Sequence, residues 1–132
     1  MNARLNGKGQ FLDSLPLCRF CMPDFKSPVE TLNLITGWEL DIPAAMDAGR
    51  RVVNQFRVFN FRHGLTKEME APSVRYGSTP EDGPAKGRAI RPHWDALRRS
   101  YYEGMGWDPE TGRPLAETLR RLGLEDLIDG PK

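Results

Sequence analysis

Hydrophobic residues recur at helical spacing in several parts of the chain, and no part shows the alternation typical of a half-buried strand. The strongest pattern predicts a helix from about residue 43 to 63, with Asp41 as its N-cap, Pro43 in its first turn and Gly64 just beyond its end. The apolar stripe of this helix consists of Val52, Val53, Phe56, Phe59 and His63.

Shorter helices are predicted from the same kinds of signal. Their expected starts and ends are Ser27-Pro28 to Gly37, Pro92 to Gly104 or Gly106, and Pro114 to Gly123. Residues 13–22 are expected to form another short helix, residues 1–12 to be irregular, and residues 124–128 to make a final turn. The fold is therefore predicted to be all-α.

The two longest apolar stripes lie at about residues 43–63 and 92–103. We expect these two helices to pack against each other, because both apolar faces must be buried away from water. The residues expected to be buried there are Val52, Phe56, Phe59, Leu97 and Tyr101. On this interpretation Phe56→Ala would cost roughly 3–5 kcal/mol. The arginines of the longer helix are Arg50, Arg51, Arg57 and Arg62. They form either a solvated flank or a surface buried against a larger partner.

Residues 65–90 are rich in proline and glycine and are too long for an ordinary connection. Loops of this length tend to be functional or to wrap over a larger body. The expected organisation is one irregular multi-helix domain, with a leading segment at 1–26, helices at 27–64, a long loop at 65–90 and further helices at 91–132.

Composition narrows the class of protein. The chain has 132 residues, which suits one domain, and a net charge of +1, which gives no reason to expect nucleic acid or a membrane surface as a partner. The longest apolar run is too short to span a bilayer, and the first residues lack the apolar core of a signal peptide. We therefore expect a cytoplasmic location, where the two cysteines would be reduced thiols or metal ligands.

The candidate chemistry lies in residues 13–21. Asp13 precedes Cys18 by five positions, and Arg19 and Cys21 follow. A carboxylate accepts hydrogen bonds from ring N–H groups, a thiolate ligates iron, and a guanidinium faces phosphate. Cys18 and Cys21 also form a C-x-x-C pair, which is either two buried thiols or a small metal or redox module.

Several stretches, taken in order, resemble the C-terminal end of the aldehyde ferredoxin oxidoreductase family, whose members are tungsten or molybdenum pterin enzymes. The matching stretches are residues 13–20, 35–38, 49–51, 54–64, 101–114 and 119–124. Together they extend over nearly the whole chain, and residues 54–64 and 101–114 carry the most specific patterns.

The resemblance implies roles for particular residues. Cys18 would ligate a four-iron, four-sulfur (4Fe-4S) cluster, and Asp13 would hydrogen-bond a pterin of the bis-pterin tungsten or molybdenum cofactor. Leu17 and Arg19 would line the pterin, so residues 1–26 would face the cofactor; Cys21 has no implied role. The implied reaction oxidises an aldehyde substrate to a carboxylic acid and passes electrons to ferredoxin.

One cysteine cannot hold such a cluster, because each iron takes its own ligand. The family's other cluster cysteines and its β-rich domain lie upstream in the full-length enzyme. We therefore expect an inactive C-terminal portion, from a truncated gene, a split subunit or an excised piece, whose partner is the upstream portion.

Leu15, Leu17 and Phe20 would then form an exposed apolar patch. The rival hypotheses are a non-catalytic helical interaction module and the C-x-x-C module.

Overall fold

The fold is all-α in the computed structural model, which describes residues 3–18, 20 and 24–128. The α-helices in these residues are α1 (Lys8–Asp13), α2 (Lys26–Thr36), α3 (Ile42–Arg62), α4 (Val74–Gly77), α5 (Trp94–Met105) and α6 (Ala116–Arg121). Short 3₁₀ turns lie at Ala3–Leu5, Glu68–Glu70, Arg91–His93 and Glu125–Leu127. The described part of the chain forms no strand, and its single isolated bridge joins Trp107 to Pro114. The all-α prediction is confirmed.

Local signals fix the ends of the longer helices. The Asp41 side chain accepts a hydrogen bond from the Ala44 backbone N–H at 2.7 Å and caps α3. Gly37 and Gly106 end α2 and α5 in the left-handed conformation, with φ of 74° and 69°. These ends lie where the sequence predicts them. None of the helices in the described residues is both long and apolar enough to span a lipid bilayer.

The predicted N-cap of α2 is wrong by a short distance. The helix begins at Lys26, so Ser27 lies inside its first turn rather than before it. Asp24 satisfies that turn from outside, because its carboxylate accepts a hydrogen bond from the Ser27 backbone N–H at 2.8 Å.

In the N-terminal region the helix lies before the position that the sequence predicts. Residues 8–12, expected to be irregular, form most of α1, whereas the described residues from 14 to 18, expected to be helical, form bends and turns rather than a helix. Phe11 and Leu12 are buried, so contacts with the rest of the fold stabilise a helix too short to form alone. Pro16 has no backbone N–H for the next helical hydrogen bond, which favours the end of α1 before it.

Residues 65–90 are also more ordered than a simple loop. They contain the 3₁₀ turn Glu68–Glu70 and the single turn of α4. The Ser73 hydroxyl caps α4 by accepting a hydrogen bond from the Tyr76 backbone N–H at 3.4 Å.

Helix α3 is the central element of the fold, because three clusters of buried residues pack against it. The first contains Phe11, Leu12, Val29 and Ala45, the second Tyr102, Met105 and Trp107, and the third Leu119, Leu122 and Leu124. Within α3, Ala45 belongs to the first cluster, Val53 packs against the second, and Val58 packs against the third. Helix α5 therefore meets α3 through the second cluster.

The apolar stripe predicted to face the core does not face it. Phe56 is 62% exposed and Phe59 is 54% exposed, whereas Arg57 is only 7% exposed. The other residues expected there, Val52, Leu97 and Tyr101, are half-buried. Successive residues turn by about 100° around a helix, so the burial of Arg57 directs Phe56 and Phe59 away from the core. The expected 3–5 kcal/mol cost of Phe56→Ala therefore does not hold.

Helices α1 and α3 approach each other closely at two glycines. A Cβ at Gly49 would lie 2.6 Å from the Gly7 carbonyl carbon and 3.0 Å from the Gly7 Cα. Gly7, the N-cap of α1, has φ of 106°, which favours glycine. This contact fixes the position of α1, and of the residues that follow it, relative to α3.

Candidate functional site

The segment that carries Asp13 and Cys18 leaves the end of a firmly anchored helix. Asp13 is the last residue of α1. The Ser14 backbone N–H donates to the Gln10 carbonyl at 3.1 Å, and the Ser14 hydroxyl donates to the same oxygen at 2.7 Å. The Leu15 N–H donates to the Leu12 carbonyl at 3.1 Å. The chain direction after Asp13 is therefore set by α1.

Beyond this helix end the segment turns toward the surface. Asp13 and Cys18 are exposed, Leu17 is 46% exposed and Phe20 is fully exposed. Leu15 departs from the expected apolar patch, because it is half-buried against the first cluster. The remaining candidates, Arg19 and Cys21, lie outside the described residues.

The donor set of this segment suits one ligand of a larger metal group rather than a complete site. Among the described residues, no three or more histidine, cysteine or acidic side chains are grouped so as to hold a metal ion. Cys18 supplies a thiol, the group that ligates iron–sulfur clusters, and this residue is exposed. A four-iron cluster at this position would need its other ligands from another part of a larger protein.

A second group of polar residues lies inside the fold, around Arg57. The Arg57 Nε donates to the Gly112 carbonyl at 2.9 Å. Both terminal nitrogens of Arg57 donate to the Glu70 carboxylate, with Nη2 and Oε2 3.1 Å apart. The guanidinium carbon is 4.5 Å from the Trp107 ring centroid and 5.1 Å from the Tyr102 centroid. The buried charge is thus paired with a carboxylate and stacked on aromatic rings.

Further hydrogen bonds extend this Arg57 cluster. The Tyr102 hydroxyl donates to the Glu70 carboxylate. The Trp107 indole N–H donates to the Asn54 side-chain oxygen at 2.8 Å, and the Asn54 side-chain N–H donates to the Arg50 carbonyl at 2.9 Å. The cluster joins residues of 54–64 to residues of 101–114, the two stretches with the most specific patterns. These patterns therefore encode an internal contact of the fold.

Sequence reasoning missed this cluster. Arg57 lies off the apolar stripe, and Glu70 lies in the segment predicted as a loop, so neither is expected to be buried. The local signal available was Phe61, one helical turn after Arg57, whose ring centroid lies 4.8 Å from the guanidinium carbon. Tyr102 and Trp107 are distant in sequence, so only the structure brings them to Arg57.

A family model described as "Aldehyde ferredoxin oxidoreductase, domains 2 & 3" matches residues 4–124. This range includes the Asp13–Cys18 segment and the whole Arg57 cluster. The chain belongs to the aldehyde ferredoxin oxidoreductase family.

Curated relatives in this aldehyde ferredoxin oxidoreductase family agree with the match. The tungsten-containing aldehyde ferredoxin oxidoreductase of Pyrococcus abyssi is 33% identical over 124 residues, which cover 89% of this chain and 19% of the relative. The protein of the same name from Pyrococcus horikoshii is 35% identical over 101 residues, covering 75% of this chain and 16% of the relative. The chain thus spans about a fifth of the length of these relatives.

Within this family member, the Arg57 cluster shifts the ionisation of Glu70. Burial raises the pKa of the Glu70 carboxyl, but hydrogen bonds from Arg57 and Tyr102, together with the Arg57 charge, outweigh burial and place this pKa below its ordinary value. Burial also raises the pKa of Tyr102, and the hydrogen bond to Glu70 adds to that rise. Glu70 is therefore held as a carboxylate beside its cation.

The lowered pKa of Glu70 makes the stability of the fold depend on pH. A carboxyl with a lower pKa in the folded chain adds stability above its unfolded pKa of about 4.3, and this is lost as pH falls through the folded pKa. We expect Glu70→Gln to lower the unfolding free energy most near neutral pH, with the difference from wild type shrinking in acid. Urea unfolding followed by circular dichroism across this range measures it. A difference that stays constant from neutral pH into acid would contradict the assignment.

Proposed function

We propose that this chain is the C-terminal part of a tungsten-containing aldehyde:ferredoxin oxidoreductase and supplies one ligand of a 4Fe-4S cluster through Cys18. The observation that supports the proposal is the position of Asp13 and Cys18. Both are exposed on a segment that leaves the anchored helix α1, inside the range matched by the family model. A metal ligand that serves a larger body must be accessible in this way.

The residues of the segment have separate roles in this proposal. The Cys18 thiolate ligates one iron, and the Asp13 carboxylate accepts hydrogen bonds from a pterin N–H group. Leu17 and Arg19 line the pterin. The buried contacts of Phe11 and Leu12 keep α1 in place, so they orient both Asp13 and Cys18 without touching the cofactor.

The tungsten or molybdenum bis-pterin group and the cluster, when bound, supply the two-electron oxidation of the aldehyde and the transfer of electrons to ferredoxin. This chain binds and orients those groups from one side. Its partner in the proposal is the remaining portion of the same enzyme, which supplies the other cluster ligands. The chain alone is then inactive. A cytoplasmic location is part of the proposal, since thiolate ligation needs reduced cysteines.

The test uses a chimera, defined as the Pyrococcus abyssi enzyme in which this chain replaces the segment that it matches. We expect the chimera to hold a complete iron–sulfur cluster and Cys18→Ser to lose it, because a serine hydroxyl is a poor substitute for a thiolate ligand. The measurements are iron per protein and the electron paramagnetic resonance signal of the reduced cluster. The isolated chain should bind no stoichiometric iron and oxidise no aldehyde.

Cys21→Ser is the matched control for Cys18→Ser, because it makes the same chemical change three residues away. It should keep the full iron content of the chimera. Equal iron loss from both variants would instead favour the C-x-x-C metal module. Full iron content in Cys18→Ser would remove Cys18 from the proposed ligand set.

A further inference from the structure

Helix α3 carries an exposed apolar groove on its surface, away from the Arg57 cluster. The groove has a volume of about 390 Å³. Its lining residues are Val52, Gln55, Phe56, Val58, Phe59, Arg62 and Leu127. Phe56 and Phe59 are 62% and 54% exposed, so two aromatic rings remain in contact with water although the same helix buries an arginine. Exposed apolar side chains grouped in a groove, rather than scattered singly, make this surface a candidate binding site.

One ring of the groove, that of Phe59, is held by contacts within the fold. The Phe59 ring stacks on the His63 ring with 4.0 Å between their centroids. The His63 Nδ1 is 2.8 Å from the Phe59 carbonyl oxygen, which fixes the imidazole against the helix. The Phe59 ring therefore has little freedom left to lose when a partner binds, which lowers the entropic cost of binding at that position.

The two sides of the groove differ in charge, because α3 contributes arginines, whereas Glu125 and Asp126 precede Leu127 on the other side. Residues 49–64 contain four arginines and no acidic residue. Two of these arginines are compensated within the fold, Arg50 by Asp47 at 3.2 Å and Arg57 by Glu70. Arg51 and Arg62 are exposed, and neither forms an ion pair with any carboxylate of the described residues. The groove thus presents apolar surface beside uncompensated positive charge.

We propose that this groove binds an apolar, carboxylate-bearing segment of the remaining portion of the same enzyme. The inference rests on the proposed function and identifies the docking surface within it. Most of the length of the relatives lies outside the part that this chain matches, so a large body of protein is available to cover the groove. Carboxylates on that segment would pair with Arg51 and Arg62 while its apolar side chains cover Phe56 and Phe59.

A second copy of this chain is the competing occupant. Two copies packed through residues 49–64 would set the arginines of both α3 helices against each other, but Glu125 and Asp126, which precede Leu127 on the other side of the groove, offset part of that charge. The remaining portion of the enzyme is the larger available body, because the chain covers only about a fifth of the length of its relatives. The occupant is therefore assigned to the same enzyme, and a homodimer is an outcome that would overturn the assignment.

The first test is hydroxyl-radical footprinting of the isolated chain and of the chimera, read by mass spectrometry. We expect the oxidation of Phe56 and Phe59 to fall severalfold in the chimera relative to the isolated chain. Leu119, buried in the third cluster, should stay protected in both and reports that the chain is folded. Iron content of the same chimera sample reports on the proposed function independently.

The second test compares two paired substitutions. Phe56→Ser with Phe59→Ser removes the apolar wall, and Phe56→Leu with Phe59→Leu keeps it apolar. In the isolated chain the serine pair should melt only slightly below the leucine pair, because both positions are exposed there and only the lower helix propensity of serine separates the two variants. In the chimera the serine pair should melt clearly below the leucine pair, because only the leucines still bury apolar surface against the partner.

The outcomes separate the two proposals. Phe56 and Phe59 oxidised equally in the isolated chain and in an iron-loaded chimera would overturn the docking surface while leaving the proposed function standing. A chimera that lacks iron and in which Leu119 is oxidised would count against both. Protection of the groove in the isolated chain, together with dimers in sedimentation, would make a second copy the occupant and overturn the assignment.

Discussion

Arg57→Met should lower the free energy of unfolding by about 3–5 kcal/mol, because it leaves the Glu70 carboxylate partly buried without its cation. Arg57 also links three separate parts of the chain, through Glu70, Gly112 and the ring of Tyr102. Methionine fills much of the same space but makes none of these polar contacts. Urea unfolding at neutral pH, followed by circular dichroism, measures the loss.

Arg51→Met is the matched control, since Arg51 lies on the same helix but is exposed. It should change the unfolding free energy by no more than about 0.5 kcal/mol. Arg57→Lys should recover only part of the loss, because an ammonium group lacks the planar, bidentate geometry of the guanidinium. A loss below about 1 kcal/mol in Arg57→Met would mean that the cluster contributes little to stability.

Gly49→Ala should destabilise the chain by about 1–3 kcal/mol, the range of overpacked sites, although alanine is ordinarily the better residue inside a helix. The added Cβ would lie 2.6 Å from the carbonyl carbon of Gly7, and backbone cannot rotate away as a side chain can. Helix α1 must therefore move off α3. Thermal and urea unfolding of the isolated chain measure the effect.

Asn60→Ala serves as the control for Gly49→Ala, because Asn60 is exposed on the same helix and alanine has the higher helix propensity there. It should leave stability unchanged or raise it slightly. In the chimera, Gly49→Ala should also reduce iron content, because displacement of α1 moves the segment that carries Cys18. Stability equal to wild type in Gly49→Ala would contradict the close approach of the two helices.

The sequence predicts those parts of the fold that local chemistry determines. The Asp41 cap and the left-handed glycines at Gly37 and Gly106 depend on residues within one turn, so they are readable without the fold. Helix α1 is not readable in this way, because its two buried residues, Phe11 and Leu12, are stabilised by α3, far away in sequence.

The orientation of α3 was predicted wrongly for a related reason. A hydrophobic stripe assigns the core to apolar side chains, and Phe56 and Phe59 satisfy that rule. The rule takes no account of a charge that is neutralised inside the fold. Arg57 is buried because Glu70, thirteen positions later in the 3₁₀ turn Glu68–Glu70, supplies its counter-charge. No local pattern connects those two residues.

The candidate site likewise has features that the sequence predicts and features that only tertiary packing determines. The importance of Asp13 and Cys18 follows from their spacing and from resemblance to a family, both of which are properties of the sequence. Their presentation on a segment directed by α1, and the exposure of Leu17 with the partial burial of Leu15, depend on how α1 packs. That packing is a tertiary property, so only the structure supplies it.

The arrangement of three clusters along α3 has a mechanical consequence. Ala45 lies in the cluster that supports α1, and Val58 packs against the cluster of the C-terminal helices, with Val53 and Arg57 between them. About 20 Å of continuous α-helix separates Ala45 from Val58, so α3 joins the cluster beneath the cysteine-bearing segment to the cluster around α6. A partner that docks on the exposed side of α3 would therefore act on the one element that both clusters share.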